Sequence, residues 1–198
     1  MKMNDYISAF TEHLSEALEI GRSSTLTNSQ KKFKNVLICG LGGSGIGGSI
    51  VTDLLAPIVS IPICTNKDYS VPNFVDEFTL VIASSYSGNT EETLFALEKC
   101  QAKGAEIACV TSGGKLAEIA KVNGYNFIQI PSEHPPRAMF GYSFTQLFFF
   151  FNHYGLIDNS FEHDFEKSIE LLNRRKEHIQ SEAKNLADKI YQQTPVIY

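Results

Sequence analysis

Residues 81–93 read VIASSYSGNTEET. Leu80, Val81 and Ile82 open this region as an apolar run with β-branched residues, of the kind that fills a buried strand. Ser84, Ser85, Tyr86, Ser87, Gly88, Asn89 and Thr90 break the run, and Glu91 to Phe95 predict the first turn of a helix. At such a hand-over the unpaired backbone N–H groups and the positive end of the helix dipole attract an anion. A hydroxyl-rich turn in that place can wrap a phosphate without lysine or arginine. The competing reading is ordinary capping by Asn89 or Thr90, answered by Glu92 or Thr93 in a capping box. Capping uses one hydroxyl, whereas Ser84, Ser85, Ser87 and Thr90 supply four.

The same alternation of strand and helix extends outward in both directions. Upstream, Asn35 to Gly40 (NVLICG) reads as a first buried strand, and LGGSGIGGSIVTDLL as a glycine turn opening a helix. Ile58 to Thr65 is a second strand, nearer an edge because Pro62 lies within it. Downstream, Glu91 to Lys103 is a helix stopped by Gly104, followed by a strand over 106–111, a helix over 115–122 and a strand over 126–130. This predicts an α/β fold with a five-stranded parallel sheet, doubly wound in the flavodoxin-like manner into three layers. Ligands of such sheets sit beyond the carboxyl ends of the strands, near the switch in strand order. The loops after strands one and three both belong there.

Outside that frame, residues 4–21 carry apolar side chains at helical spacing, with Gly21 as the expected stop. Pro135 and Pro136 hold an extended approach to Arg137, and 138–155 predicts a strongly apolar helix. Residues 161–191 read as one or two charged, amphipathic helices. Thr194 to Tyr198 (TPVIY) resembles the opening of another strand.

Hydrophobic residues make up 43% and charged residues 20% of the 198, which suffices for a proper core, and the net charge of −5 offers no nucleic-acid surface. Cys39, Cys64 and Cys109 fall in expected strands without C-x-x-C spacing, as small buried hydrophobes of a reducing compartment do. The amphipathic start is not a signal peptide, and Phe144 to Phe151 is too short to span a membrane. The expected location is cytoplasmic.

Gly40-x-Gly42-x-x-Gly45 matches the dinucleotide fingerprint in spacing and position, which makes a nicotinamide-dependent oxidoreductase a serious competitor. The second strand, however, ends in Thr65-Asn66-Lys67 where an acidic ribose partner is expected, with Asp68 beyond it. That reading also leaves the hydroxyl turn without a task. Ser44 can bring a hydroxyl and an N–H to the same anion as the second loop. Arg137 is read as a fixed guanidinium for charge developing on a substrate oxygen, against a surface pairing with Glu133. No His/Cys/acid cluster has metal spacing, so no metal is expected, and no G-x-S-x-G elbow marks a hydrolase.

GLGGSGIGG, SSYSGNTEET and the HPPR turn together resemble the sugar isomerase (SIS) domain family over roughly residues 35–150. More narrowly they resemble the N-terminal domain of bifunctional phosphoglucose/phosphomannose isomerases. The resemblance implies that Ser44, Ser85, Ser87 and Thr90 hold a sugar phosphate, with backbone help from Gly42 and Gly43. Arg137 then matches the catalytic arginine that stabilises an enediolate. The implied reaction interconverts glucose 6-phosphate or mannose 6-phosphate with fructose 6-phosphate through a cis-enediol, using no metal or redox cofactor. The expected division is a SIS domain over 1–155, a helical linker over 156–193, and at 194–198 the first strand of a second SIS domain. In that family the general base glutamate and ring-opening histidine lie beyond the linker, the histidine in the other subunit of a homodimer. The isolated chain is therefore expected to bind substrate and to be catalytically incomplete. A non-catalytic phosphosugar sensor and a different phosphosugar enzyme of the same fold remain as alternatives.

Overall fold

Successive side chains of a strand point to opposite faces, and the central strands here are apolar without a break over 36–39, 80–83 and 107–110, so both faces must be covered. The computed structural model describes residues 3–132 and 134–196. Its strands are β1 (Asn35–Cys39), β2 (Ile63–Asn66), β3 (Thr79–Ser84), β4 (Glu106–Thr111) and β5 (Asn126–Gln129). They form one parallel sheet in the order β2-β1-β3-β4-β5, as expected for flavodoxin-like winding. β2 is an edge strand, and Pro62 just ahead of it accepts the Val36 N–H through its carbonyl at 2.9 Å.

The helices are α1 (Met3–Ser8), α2 (Phe10–Ser23), α3 (Gly42–Leu55), α4 (Glu91–Ala102), α5 (Gly114–Asn123), α6 (Phe140–His153) and α7 (Ser160–Ile190). Even-numbered residues Val36, Ile38, Leu80, Ile82, Ala108, Val110 and Ile128 pack with α2, α3 and α6. Odd-numbered Leu37, Cys39, Val81, Ala83, Ile107 and Cys109 pack with α4 and α5. The sheet thus separates two apolar clusters.

Two local expectations change and a third narrows. The single helix over 4–21 is two helices meeting at Ala9. Gly21 does not stop α2, which continues to Ser23; a Cβ there would be driven into the Phe149 ring, so this glycine allows α6 to lie close. Residues 161–191 fall almost wholly in one helix, α7, consistent with the absence of proline and glycine.

Gln146, which interrupts the phenylalanine run, is completely buried and donates its Nε2 to the Ala17 carbonyl at 2.8 Å, tying α6 to α2. The first half of α7 packs through Phe161 and Phe165 and is pinned by Arg22 of α2, which reaches Glu162 at 2.6 Å and Glu166 at 2.8 Å. From residue 173 onward every described α7 residue is exposed. Thr194, Pro195 and Val196 have no regular structure, and the remainder of the expected closing strand lies outside the described residues.

Candidate anion-binding site

β1 and β3 are adjacent, so the turns that follow them meet at the carboxyl end of the sheet. The β1 turn is pressed tightly against its neighbour. A Cβ on Gly40 would stand 2.9 Å from the Ser84 carbonyl oxygen, and one on Gly45 would stand 2.6 Å from that of Gly40. Gly42 and Gly43 instead face open space and are exposed, with Gly42 at φ +58°. Ser44 is buried in the first turn of α3, and no side chain caps that helix.

In the second loop Thr90 occupies the N-cap position of α4, yet its hydroxyl does not cap the helix. It lies 2.8 Å from the Ser85 hydroxyl. Asn89 does not cap it either, because its Oδ1 accepts the Lys115 N–H at 3.1 Å. The first N–H groups of α4 are therefore left without a side-chain cap, beside paired hydroxyls, and ordinary capping does not account for this turn. Ser87 is exposed, and its hydroxyl accepts the Asn89 N–H at 3.2 Å.

The loop is held from behind by the turn after β4, a role that Thr111-Ser112-Gly113-Gly114 does not announce in sequence. The Tyr86 carbonyl accepts the Ser112 N–H at 3.0 Å and its hydroxyl at 2.6 Å. The Gly88 carbonyl accepts the Leu116 N–H at 2.9 Å. Gly88 has φ +67°, and a Cβ there would run into the Gly113 carbonyl oxygen.

The HPPR turn joins the site through Tyr86, whose hydroxyl accepts the His134 N–H at 3.2 Å. Arg137 stands on a 3₁₀ turn (Pro136–Ala138) and is exposed. Its side chain lines a groove of about 750 Å³ between α1 and α7, with Tyr6, Asn173 and Lys176 among its neighbours. The serine and threonine side chains of the two loops do not line that groove. The structure thus brings Gly42, Gly43, Ser44, Ser85, Ser87 and Thr90 to one end of the sheet and places Arg137 on an adjoining turn. Glu133, the surface partner weighed for Arg137, lies outside the described residues.

The dinucleotide alternative loses ground at β2. Asp68, the nearest acid after that strand, accepts the Tyr69 N–H at 2.6 Å within its own turn. Beneath the glycine turn the Cys39 thiol is pushed well up by its hydrogen bond with Cys100 and by burial, and burial pushes Cys109 up to about 12. These are thiols of the core, as their strand positions suggested.

Comparison with known proteins places this geometry. Over 193 residues the chain is 42% identical to a bifunctional phosphoglucose/phosphomannose isomerase of Caldicellulosiruptor bescii, covering 94% of this chain and 57% of the relative. The chain belongs to the SIS family. A protein of the same name from Aquifex aeolicus is 36% identical over 167 residues, covering 84% of the chain and 50% of the relative. The crystal structure of a candidate phosphosugar isomerase from Clostridium difficile shares the fold at a TM-score of 0.75 and 22% identity, covering 96% of this chain and 57% of that one. No family model matches. The SIS chain described here spans about half the length of the curated relatives it matches.

Proposed function

We propose that this SIS domain binds the phosphate of a hexose 6-phosphate between the first turns of α3 and α4. The full-length protein would interconvert glucose 6-phosphate or mannose 6-phosphate with fructose 6-phosphate, a carbohydrate-metabolism step at the entry to glycolysis and in gluconeogenesis. The observation that carries the reading is the meeting of the two helix starts, where Gly40 presses on the Ser84 carbonyl, beside the Ser85–Thr90 hydroxyl pair. Backbone N–H groups of Gly42, Gly43 and Ser44, with the hydroxyls of Ser44, Ser85, Ser87 and Thr90, supply donors that a phosphate accepts. The likeness to named phosphoglucose/phosphomannose isomerases supports the substrate class.

Isomerisation moves a proton between C2 and C1 and leaves negative charge on an enediolate oxygen. It requires a base poised near neutral pH and a fixed cation at that oxygen. We assign the cation to Arg137, on the turn tethered to the second loop through His134 and Tyr86. The base glutamate and ring-opening histidine are placed in the additional length that the relatives possess, within a second SIS domain and across a homodimer in the cytoplasm. On this proposal residues 1–155 form the binding domain and 156–193 the connection.

Binding by the 198-residue chain tests the phosphate assignment. Ser87→Ala combined with Thr90→Val should weaken fructose 6-phosphate at least tenfold, about 1.4 kcal/mol or more, and leave the weak binding of fructose unchanged. Equal weakening of both would mean that the phosphate lies elsewhere.

A further inference from the structure

We infer that Tyr86 is a positioning residue for Arg137, and that through its hydroxyl the phosphate loop sets where the guanidinium stands. The inference rests on the function proposed above and supplies the link between its two halves, phosphate binding and charge stabilisation. Tyr86 lies between Ser85 and Ser87, is half-buried, and packs against the apolar cluster on the α2, α3 and α6 side of the sheet. Its backbone is fixed, because its carbonyl accepts the Ser112 N–H and hydroxyl and, at 3.3 Å, the Thr111 hydroxyl. Its own hydroxyl accepts the His134 N–H at 3.2 Å.

Among the described residues the Arg137 guanidinium has no ion pair, so its place follows from the backbone that carries it. After Arg137 that backbone is secured by Met139, which is buried in the same apolar cluster. Before it stand Pro135 and Pro136, which have no N–H to anchor them and whose rings fix φ, at −60° for Pro135. The Pro135 carbonyl accepts the Ala138 N–H at 2.8 Å, and the Pro136 carbonyl accepts the Met139 N–H at 3.1 Å. A segment so locked passes a displacement on instead of absorbing it, and His134 at its head is where the turn is held. Two tyrosines meet there. Tyr86 takes the backbone N–H, while the Tyr6 hydroxyl of α1 lies 3.2 Å from His134 Nδ1 with the two rings edge-on. Of the two, only Tyr86 belongs to the loop assigned to the phosphate. A dianion that fixes Ser85 and Ser87 fixes the residue between them, and with it the head of the arginine turn.

The test is a double-mutant cycle on the 198-residue chain, read by equilibrium binding of two ligands. Fructose 6-phosphate reports the phosphate contacts. 5-Phosphoarabinonate, an aldonate with the same phosphate, reports the guanidinium, because its carboxylate carries charge where the enediolate would. Arg137→Gln should weaken the aldonate about tenfold and fructose 6-phosphate less than about threefold. Tyr86→Phe removes one oxygen and keeps the ring. It should weaken the aldonate about fivefold, leave fructose 6-phosphate within about twofold, and have no further effect on the aldonate once Arg137 is replaced by Gln. A merely structural role would persist in the Arg137→Gln background, so an equal effect of Tyr86→Phe in both backgrounds overturns the inference. Equal weakening of both ligands by Tyr86→Phe, or an unchanged aldonate affinity, overturns it as well. If Arg137→Gln spares the aldonate, the arginine assignment falls and the inference with it. If the wild type binds neither ligand, it is the phosphate reading that falls, and the inference goes with that.

Discussion

Gly88 and Gly42 offer a controlled comparison, because both hold positive φ and only one is hemmed in. Replacing either by alanine costs about 1–2 kcal/mol for a Cβ in the left-handed region. At Gly42, φ +58°, the new methyl meets nothing within 4 Å, so that cost is the whole effect. At Gly88, φ +67°, the methyl collides with the Gly113 carbonyl, and the loop must move off the β4–α5 turn. The move disturbs the Gly88 N–H bonds to the Ser85 carbonyl at 3.1 Å and hydroxyl at 3.2 Å, and the Leu116 N–H bond to Gly88 at 2.9 Å. At about 1 kcal/mol for each bond, the total for Gly88→Ala comes to about 4 kcal/mol. In a chain of this size each kcal/mol moves Tm by about 2–4 °C. Thermal melting followed by circular dichroism should therefore fall by about 10 °C for Gly88→Ala and about 4 °C for Gly42→Ala. Gly88→Ala should also lose binding of fructose 6-phosphate, since Ser85, Ser87 and Thr90 move with the loop. Equal melting of the two variants would refute the claim that the β4–α5 turn holds the hydroxyl loop in place.

Arg22→Ala removes a guanidinium shared among Glu19, Glu162 and Glu166, whose hydrogen bonds, that to Glu162 first, raise its pKa. Because Arg22 and Glu166 are partly solvated, the loss should be only about 1 kcal/mol and shrink in 1 M salt, measured by urea unfolding. His13 predicts an acid sensitivity. Burial lowers its pKa, outweighing the attraction of Glu16, and its Nδ1 has no partner. The unfolded chain thus takes up the proton first, so stability is complete above the unfolded value near 6.5 and declines as pH falls below it. His13→Phe should flatten the slope of Tm below about pH 6.5, and an unchanged slope would assign it to other groups.

The strand order was legible because each strand is a short apolar run bounded by turn residues, and each connection is long enough for a crossover helix. The glycine and hydroxyl turns were legible because strand-to-helix hand-overs are local. What escaped depended on partners distant in sequence. Nothing near Ala9 signals a break, since alanine is the strongest helix former. Gly21 near a helix end suits either a stop or a close approach, and only Phe149, more than a hundred residues away, decides between them. Asn89 has the chemistry of a helix cap, but its contact with Lys115 exists only once β3 and β4 lie side by side. Lys67 looked like a mismatch to a dinucleotide site, and its nearness to Gly45 emerges from the pairing of β2 with β1.

The division of the interior by the sheet has a consequence for how the chain can vary. Leu37 and Ile38 are consecutive, yet they belong to apolar clusters on opposite faces. Substitutions among the α4–α5 side chains should therefore add, nearly without epistasis, to substitutions among those of α2, α3 and α6. Each face can drift through its own series of compensating changes. Coupling between the two histories should concentrate in the turns at the carboxyl end, where Gly40 touches Ser84 and a change on either side is felt by both.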